Sequence, residues 1–299
     1  MSLIVVGTLA FDSVETPYER REETLGGSAT YFAYAARHFV GVRLVGVVGT
    51  DFPDEYLRDF RDHDVDCTGV EVVDGRTFRW AGRYEADWNT RHTLETQLNV
   101  LESFDPKIPS DYRDSRFVFL ANATPSVQMR ALEQCEQPLL VVADTMNLWI
   151  DNDRDDLLEL LRRVDGLVLN DEEARMLSGE TNLIRAARKT LELGPRFLIL
   201  KKGEHGAFLI GEDLHFSLPA YPVEEVVDPT GAGDSFAGGF MGYLASVRNA
   251  QPHTLRRAML YGTVTASFCV EGFSVDRLLA CDRSDVETRY NELTSIVTL

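Results

Sequence analysis

The 299-residue chain is short of lysine, of cysteine and of long apolar runs. Its only lysines are Lys107, Lys189, Lys201 and Lys202, among 30 basic residues set against 48 acidic ones. A formal net charge of −18 argues against a nucleic-acid partner, because binding a polyanion needs a basic footprint. The excess acid concerns solvation, as in a salt-adapted proteome, and the arginine bias is equally that of a GC-rich genome. The four cysteines (Cys67, Cys135, Cys269 and Cys281) have no CxxC spacing, which speaks against structural zinc or a disulfide framework and for buried free thiols. No apolar run reaches the roughly 18 residues that span a bilayer. The opening "MSLIVVGTLAFD" lacks a basic n-region, so the chain is expected to be cytoplasmic and to have no membrane partner. Neither a GxxxxGK[ST] loop nor a GxGxxG after the first strand is present, so the two commonest phosphate-binding loops are missing.

What is present is a rhythm. Short continuous runs rich in Val, Ile, Leu and Phe at 3–9, 42–49, 116–121, 139–144, 166–170 and 196–201 read as strands buried on both faces. Helical patterns lie between them at about 28–40, 53–64, 125–135, 151–163, 171–178 and 181–193, and dominate after 231. Alternation of this kind predicts one α/β domain over 1–299, a doubly wound, mostly parallel sheet flanked by helices. Further strands are expected at 207–210 and about 221–227. Two segments break the rhythm. "RTFRWAGRY" (76–84) and "TLETQLNV" (93–100) alternate apolar and polar residues with period two, as half-exposed antiparallel strands do. A small antiparallel β lid is expected from insertions at about 11–25 and 69–102. It would cover the active site or form a homodimer contact, the plain alternative being an edge extension of the main sheet.

The stretch "EVVDPTGAGDSFAGGF" (225–240) carries the chemistry. Glycines at a helix N-terminus leave unpaired backbone N–H groups open to an anion, at the positive end of the helix dipole. Asp234 in the first helical turn would repel a phosphate if binding were the only task. Its presence makes sense if it takes a proton from a nucleophile while the amides of Gly231, Ala232 and Gly233 stabilise charge on a transferring group. Asp228, held extended by Pro229, is the competing base and is read as a positioning residue. A glycine-rich turn with capping aspartates is the plainer alternative.

"DPTGAGDSFAGGF" resembles the C-terminal signature of the ribokinase-like (PfkB) kinases of sugars and nucleosides. "GGSATYFAYAAR" (26–37) is similar to the N-terminal one. "LNDEEA", "LKKGEHGA" and "ASFCVEGFSVDRL" follow in the family's order. The resemblance implies an ATP- and Mg²⁺-dependent phosphotransferase on the same fold, with Asp234 as base and Gly231, Ala232 and Gly233 as anion hole. It implies substrate contacts from Asp12, Gly26, Gly27 and Asn122, and nucleotide contacts from Asn170, Glu173, Lys201, Gly203 and Gly206. Glu173 would order Mg²⁺ through water. Asp228 and Thr230 match positions whose backbone oxygens bind a monovalent cation, such as K⁺, in some members. The family usually has a small hydroxyl residue near Lys201; the lysine here is a departure. A free sugar is the first-choice acceptor, and a nucleoside, or a non-catalytic ligand-binding role on the same scaffold, the alternatives.

Overall fold

A computed structural model describes residues 3–298. In chain order the first part comprises β1 (Leu3–Val6), β2 (Ala10–Glu15), β3 (Arg20–Gly26), α1 (Ser28–Ala36), β4 (Val42–Gly49), α2 (Asp54–Asp62), β5 (Val65–Val73), β6 (Phe78–Tyr84) and β7 (Arg91–Gln97). The middle adds β8 (Phe117–Leu120), α3 (Pro125–Leu132), β9 (Leu140–Asp144), α4 (Asn147–Asn152), α5 (Arg154–Leu161), β10 (Gly166–Asn170), α6 (Asp171–Ser178) and α7 (Leu183–Leu191). The last part holds β11 (Phe197–Lys201), β12 (Ala207–Gly211), β13 (His215–Leu218), α8 (Ala232–Val247), α9 (Pro252–Cys269), α10 (Asp276–Ala280) and α11 (Arg283–Val297).

Nine strands form one sheet in the order β13-β12-β11-β10-β9-β8-β1-β4-β5. Every neighbouring pair from β11 to β5 is parallel, and β12 and β13 add an antiparallel edge. The period of two decides where side chains go. Leu3 and Val5 of β1 enter one core with α1, α8 and α9, while Ile4 and Val6 enter a second with α3, α5, α6 and α7. Burial on both faces is why these strands read as unbroken apolar runs. Helix α8 lies tight between two others. A Cβ on Gly238 would come within 2.4 Å of the Phe32 carbonyl oxygen in α1, and one on Gly239 within 2.2 Å of Thr265 Oγ1 in α9. The second glycine pair of the 225–240 stretch therefore serves helix packing and has no part in anion binding.

The lid is a separate four-stranded sheet, β3-β2-β6-β7, and so is no extension of the main one. Its hairpins are antiparallel, but β2 and β6 pair parallel. Both strands leave the body from carboxyl ends of parallel strands, β2 after β1 and β6 after β5, so they enter the lid in the same sense. Two expectations need correction. Residues 69–73 belong to β5, paired to β4 in the main sheet, and not to the lid; the polar alternation of "VDCTGVEVV" marks an exposed edge strand. Residues 221–227 form no strand. The N–H groups of Val227 and Asp228 donate instead to the Val270 carbonyl at the end of α9, and the strand in this region is the short, half-polar β13.

Candidate active site

Strand order reverses at β1, which has β4 and β5 on one side and β8 to β11 on the other. Parallel α/β sheets bind ligands at the carboxyl ends of strands around such a switch point. Here the strands end on polar residues: Asp144 closes β9, Asn170 closes β10 and Lys201 closes β11. Asn170 is directly beside Lys201 in the ladder.

Helix α8 points its N-terminus at this row. Its cap, Gly231, has φ +76°, and a Cβ there would run into the Tyr31 ring at 2.3 Å. Only glycine meets both conditions. The N–H groups of Gly231, Gly233 and Asp234 make no hydrogen bond among the described residues, whereas Ala232 N–H donates to the Pro229 carbonyl at 3.2 Å. The expected cradle is thus corrected at one position: Ala232 closes the turn that starts the helix, and its two neighbours and Asp234 offer the open amides. A Cβ on Gly233 would lie 2.6 Å from Lys201 Nζ, so the ammonium sits against the first turn of α8.

Asp234 is half-buried at this helix end. Burial pushes its carboxyl up to about 8, the Asp144 charge adding to the rise, Lys201 opposing it, Asp12 adding and Arg91 opposing. Lys201 lies 3.7 Å from Asp144. Burial alone would lower its pKa, but the charges of Asp144, Glu173 and Asp234 outweigh that, so the ammonium is held above its ordinary value.

Across the cleft, Asp12 is buried on β2. Burial lifts its carboxyl to about 7, against a hydrogen bond from the Gly27 backbone and with help from the Asp228 charge. Gly26 has no room for a side chain, since a Cβ would meet Asp12 Oδ2 at 2.0 Å. Gly27 caps α1 at φ +97°. Trp80 is the ladder partner of Asp12 and shares its face of the lid. Its indole lies over Gly82, where a Cβ would be 2.1 Å away, and the Arg91 guanidinium stands 5.7 Å from its ring centre. Tyr84 pairs with Arg91 across the hairpin, and its oxygen accepts from the Thr230 hydroxyl at 3.3 Å. Val14, Tyr84 and Phe273 form a small core with Trp80, Trp88 and Val227, so the lid is closed onto its own chain. The Asn122 side chain is already engaged by its neighbours at both ends. Its oxygen accepts from Trp149 Nε1 at 2.8 Å and its amide donates to Met146 Sδ at 3.1 Å.

At the end of β10, Asn170 and Glu173 form a reciprocal capping box at the start of α6. Glu173 is buried, and burial lifts it to about 7, against Lys201 and with Asp144 adding. Only its Oε2 is engaged, by the Asn170 N–H at 2.7 Å; Oε1 has no hydrogen-bond partner among the described residues, which leaves it for a metal-bound water. No cluster of three or more His, Cys, Asp or Glu able to hold a metal occurs among the described residues. Such a site suits Mg²⁺ arriving on phosphates with most of its waters. Gly203 and Gly206 shape the loop after β11 with φ +53° and +78°. The lid tip reaches this loop, as a Cβ on Gly203 would be 2.4 Å from Asn89 Oδ1. Lys202 is engaged elsewhere, 3.8 Å over the Phe208 ring.

Asp228 is buried and lifted by burial to about 6, against its bonds with Thr230. Oδ1 accepts the Thr230 N–H at 2.9 Å, while Oδ2 is buried without a partner. The Thr230 carbonyl accepts the Cys269 thiol at 3.3 Å. Sequence reasoning missed Asp144, Tyr84 and Arg91. The first was hidden as the last letter of a strand, and the other two as facing letters at the turn end of a hairpin.

A doubly wound body, a closed β lid and a carboxylate at a glycine-capped helix end define a phosphotransferase of the ribokinase-like class. The family model for pfkB family carbohydrate kinases matches residues 2–279, and the chain belongs to this family of ATP-dependent phosphotransferases. A cytidine kinase from Thermococcus kodakarensis is 32% identical over 247 residues, covering 81% of this chain and 87% of that protein. A Burkholderia thailandensis nucleoside kinase solved with inosine superposes with a TM-score of 0.80 at 20% identity, covering 98% of this chain and 99% of that one. An Escherichia coli structure with ATP and Mg²⁺ gives 0.79 at 19% identity, covering 97% and 99%.

Proposed function

We propose that the chain phosphorylates the hydroxymethyl group of a nucleoside, with Asp234 as the base. The observation that carries this is the placement of Asp234 at a helix end whose open amides and adjacent ammonium face Asp12 across the cleft. ATP with Mg²⁺, when bound, supplies the γ-phosphoryl group and neutralises part of its charge. The acceptor oxygen forms the new P–O bond as the bond to the ADP oxygen breaks, and its proton passes to Asp234. The amides of Gly231 and Gly233 and the Lys201 ammonium receive the charge on the moving group. Gly203 and Gly206 shape the loop that takes the nucleotide, and Asn170 holds Glu173 where it can order metal-bound water. Asp12, freed of its proton, accepts hydrogen bonds from sugar hydroxyls, with Gly26 and Gly27 letting the sugar approach the backbone.

Either acceptor class fits the family. The lid favours the nucleoside, because Trp80, the ladder partner of Asp12, puts an aromatic side chain on the same face as the carboxylate. The cytidine kinase and nucleoside kinase relatives support the same reading. The orphaned Asp228 Oδ2 fits a monovalent cation such as K⁺, more directly than the already engaged Thr230 carbonyl does. No helix among the described residues is long and apolar enough to cross a membrane, which suits a cytoplasmic enzyme using ATP. Net charge of −18 suits one without a nucleic-acid partner. The outer lid strand β7 is exposed along most of its length, with Leu94 at 53%, and is the surface through which a homodimer would form. ADP release with a panel of nucleosides and free sugars tests the proposal. Turnover of nucleosides supports it, turnover of free sugars alone replaces the acceptor, and full turnover by Asp234→Asn removes the assigned base.

A further inference from the structure

The row of strand ends contains a buried carboxylate that the reaction above does not use. Asp144 is 5% exposed. One of its oxygens accepts the Thr145 N–H at 2.8 Å, and the other lies 3.7 Å from Lys201 Nζ. The two residues end strands that are not neighbours, since β10 runs between β9 and β11. The ion pair therefore bridges over the end of β10 and pins the ammonium between Asp144 and the first turn of α8, where Gly233 leaves the space it needs. A lysine side chain is a flexible stem that gives up much rotamer freedom when fixed. Two more carboxylates, Glu173 and Asp234, face the same ammonium. Without Asp144 it would settle on one of them. Pairing with Asp234 would hold the base ionised and weaken it as a proton acceptor. Pairing with Glu173 would compete with metal-bound water. At 3.7 Å the contact with Asp144 is also longer than the 2.7–2.9 Å of a charge-assisted hydrogen bond, so the ammonium keeps donors for a phosphate oxygen.

We propose that Asp144 is a positioning residue, which aims the Lys201 ammonium into the amide cradle of α8 so that it meets the transferring phosphoryl group. This rests on the kinase reading. The charged groups facing Asp234 are Asp144 from β9, Lys201 from β11, Asp12 from β2 and Arg91 from β7. Asp144 and Lys201 act on it with opposite signs, so removing one or the other moves the ionisation of the base in opposite directions.

The test compares wild type, Asp144→Asn and Lys201→Met in two arms. One measures kcat and the KM for ATP across pH with the best acceptor of the panel. The other measures calorimetric binding of a non-hydrolysable ATP analogue and of AMP, without acceptor. For Asp144→Asn, kcat falls about tenfold or more while analogue affinity stays within about threefold of wild type. Its acidic limb moves to lower pH by roughly half to one pH unit. For Lys201→Met, analogue binding weakens about tenfold with AMP binding kept, and the acidic limb moves to higher pH. Asp144→Glu, which keeps the charge, restores the limb. Should Asp144→Asn fail to fold, the Asp144→Asn/Lys201→Met double variant removes both members of the ion pair together; its limb returns near the wild-type position if the proposal holds. An Asp144→Asn enzyme within twofold of wild-type kcat with an unmoved limb overturns the proposal, as do limbs that shift the same way in both single variants. Wild type without turnover on any acceptor sinks the kinase reading instead, and the binding arm then still decides whether Asp144 governs Lys201.

Discussion

Replacing Asp234 by asparagine should make the protein a much poorer enzyme and a more stable one, and the second effect should depend on pH. Loss of a general base costs about 10²–10⁴ in kcat. The stability effect follows from where the carboxyl titrates. In the unfolded chain it loses its proton near 3.8, and in the folded chain burial, with Asp144, delays this to about 8. Between those values the folded state holds a proton that the unfolded state has released, so stability falls as pH rises from about 4 to about 8 and is level beyond. Asparagine cannot ionise and escapes that loss. Each tenfold change in ionisation is worth about 1.4 kcal/mol. The full interval would exceed what a half-exposed, charge-coupled group can deliver, and screening by cleft water leaves about 1–3 kcal/mol. For a chain of this size that is roughly 2–6 °C in Tm. Calorimetric melting of both proteins at pH 4.5, 6, 7 and 8.5 reads it directly. The variant's advantage should be small at the acid end and grow to pH 8. A constant or shrinking advantage would refute the claim that the carboxyl is held protonated by its surroundings.

Gly233→Ala should place a methyl group where Lys201 Nζ now sits, 2.6 Å away. We expect kcat about 10–100-fold lower with an unchanged circular dichroism spectrum; an active Ala variant would show that the ammonium is not needed there. Trp80→Ala should raise the KM for nucleosides about tenfold, the worth of a stacked base, while leaving the KM for ATP near wild type. An equal effect on both substrates would mean that the indole only holds the lid together. Tyr84→Phe removes one hydroxyl contact to Thr230 and should cost about 1 kcal/mol in acceptor affinity, measured as kcat/KM.

Much of the body was legible because its strands are buried on both faces, and continuous apolar runs such as those of β1 and β8 announce it. The errors lie where one face meets water. Strand β5 alternates like a lid strand because it is the sheet edge, and β13 gives little signal because "HFSL" is short and half polar. "PVEEVV" has strand-like composition, but the N–H groups at its end donate to the end of α9 and not to a strand. In the site, residues announced by glycine were found by position: Asp234 lies at the cradle, Asp12 beside Gly26, and Lys201 against Gly233. Those that depend on long-range closure were not. Nothing local tells that Asp144 reaches across β10 to Lys201, that Tyr84 touches Thr230, or that Trp149 claims the Asn122 side chain.

The division between two sheets has an evolutionary corollary. The group that would recognise the guest, Asp12 with Trp80, hangs from the smaller sheet, while the group that would receive its hydrogen hangs from the larger. The hairpins are nonetheless wired to the machinery below, since Asp12 and Arg91 both act on the ionisation of Asp234, so a change of guest preference made in the lid would carry a change in the working pH with it.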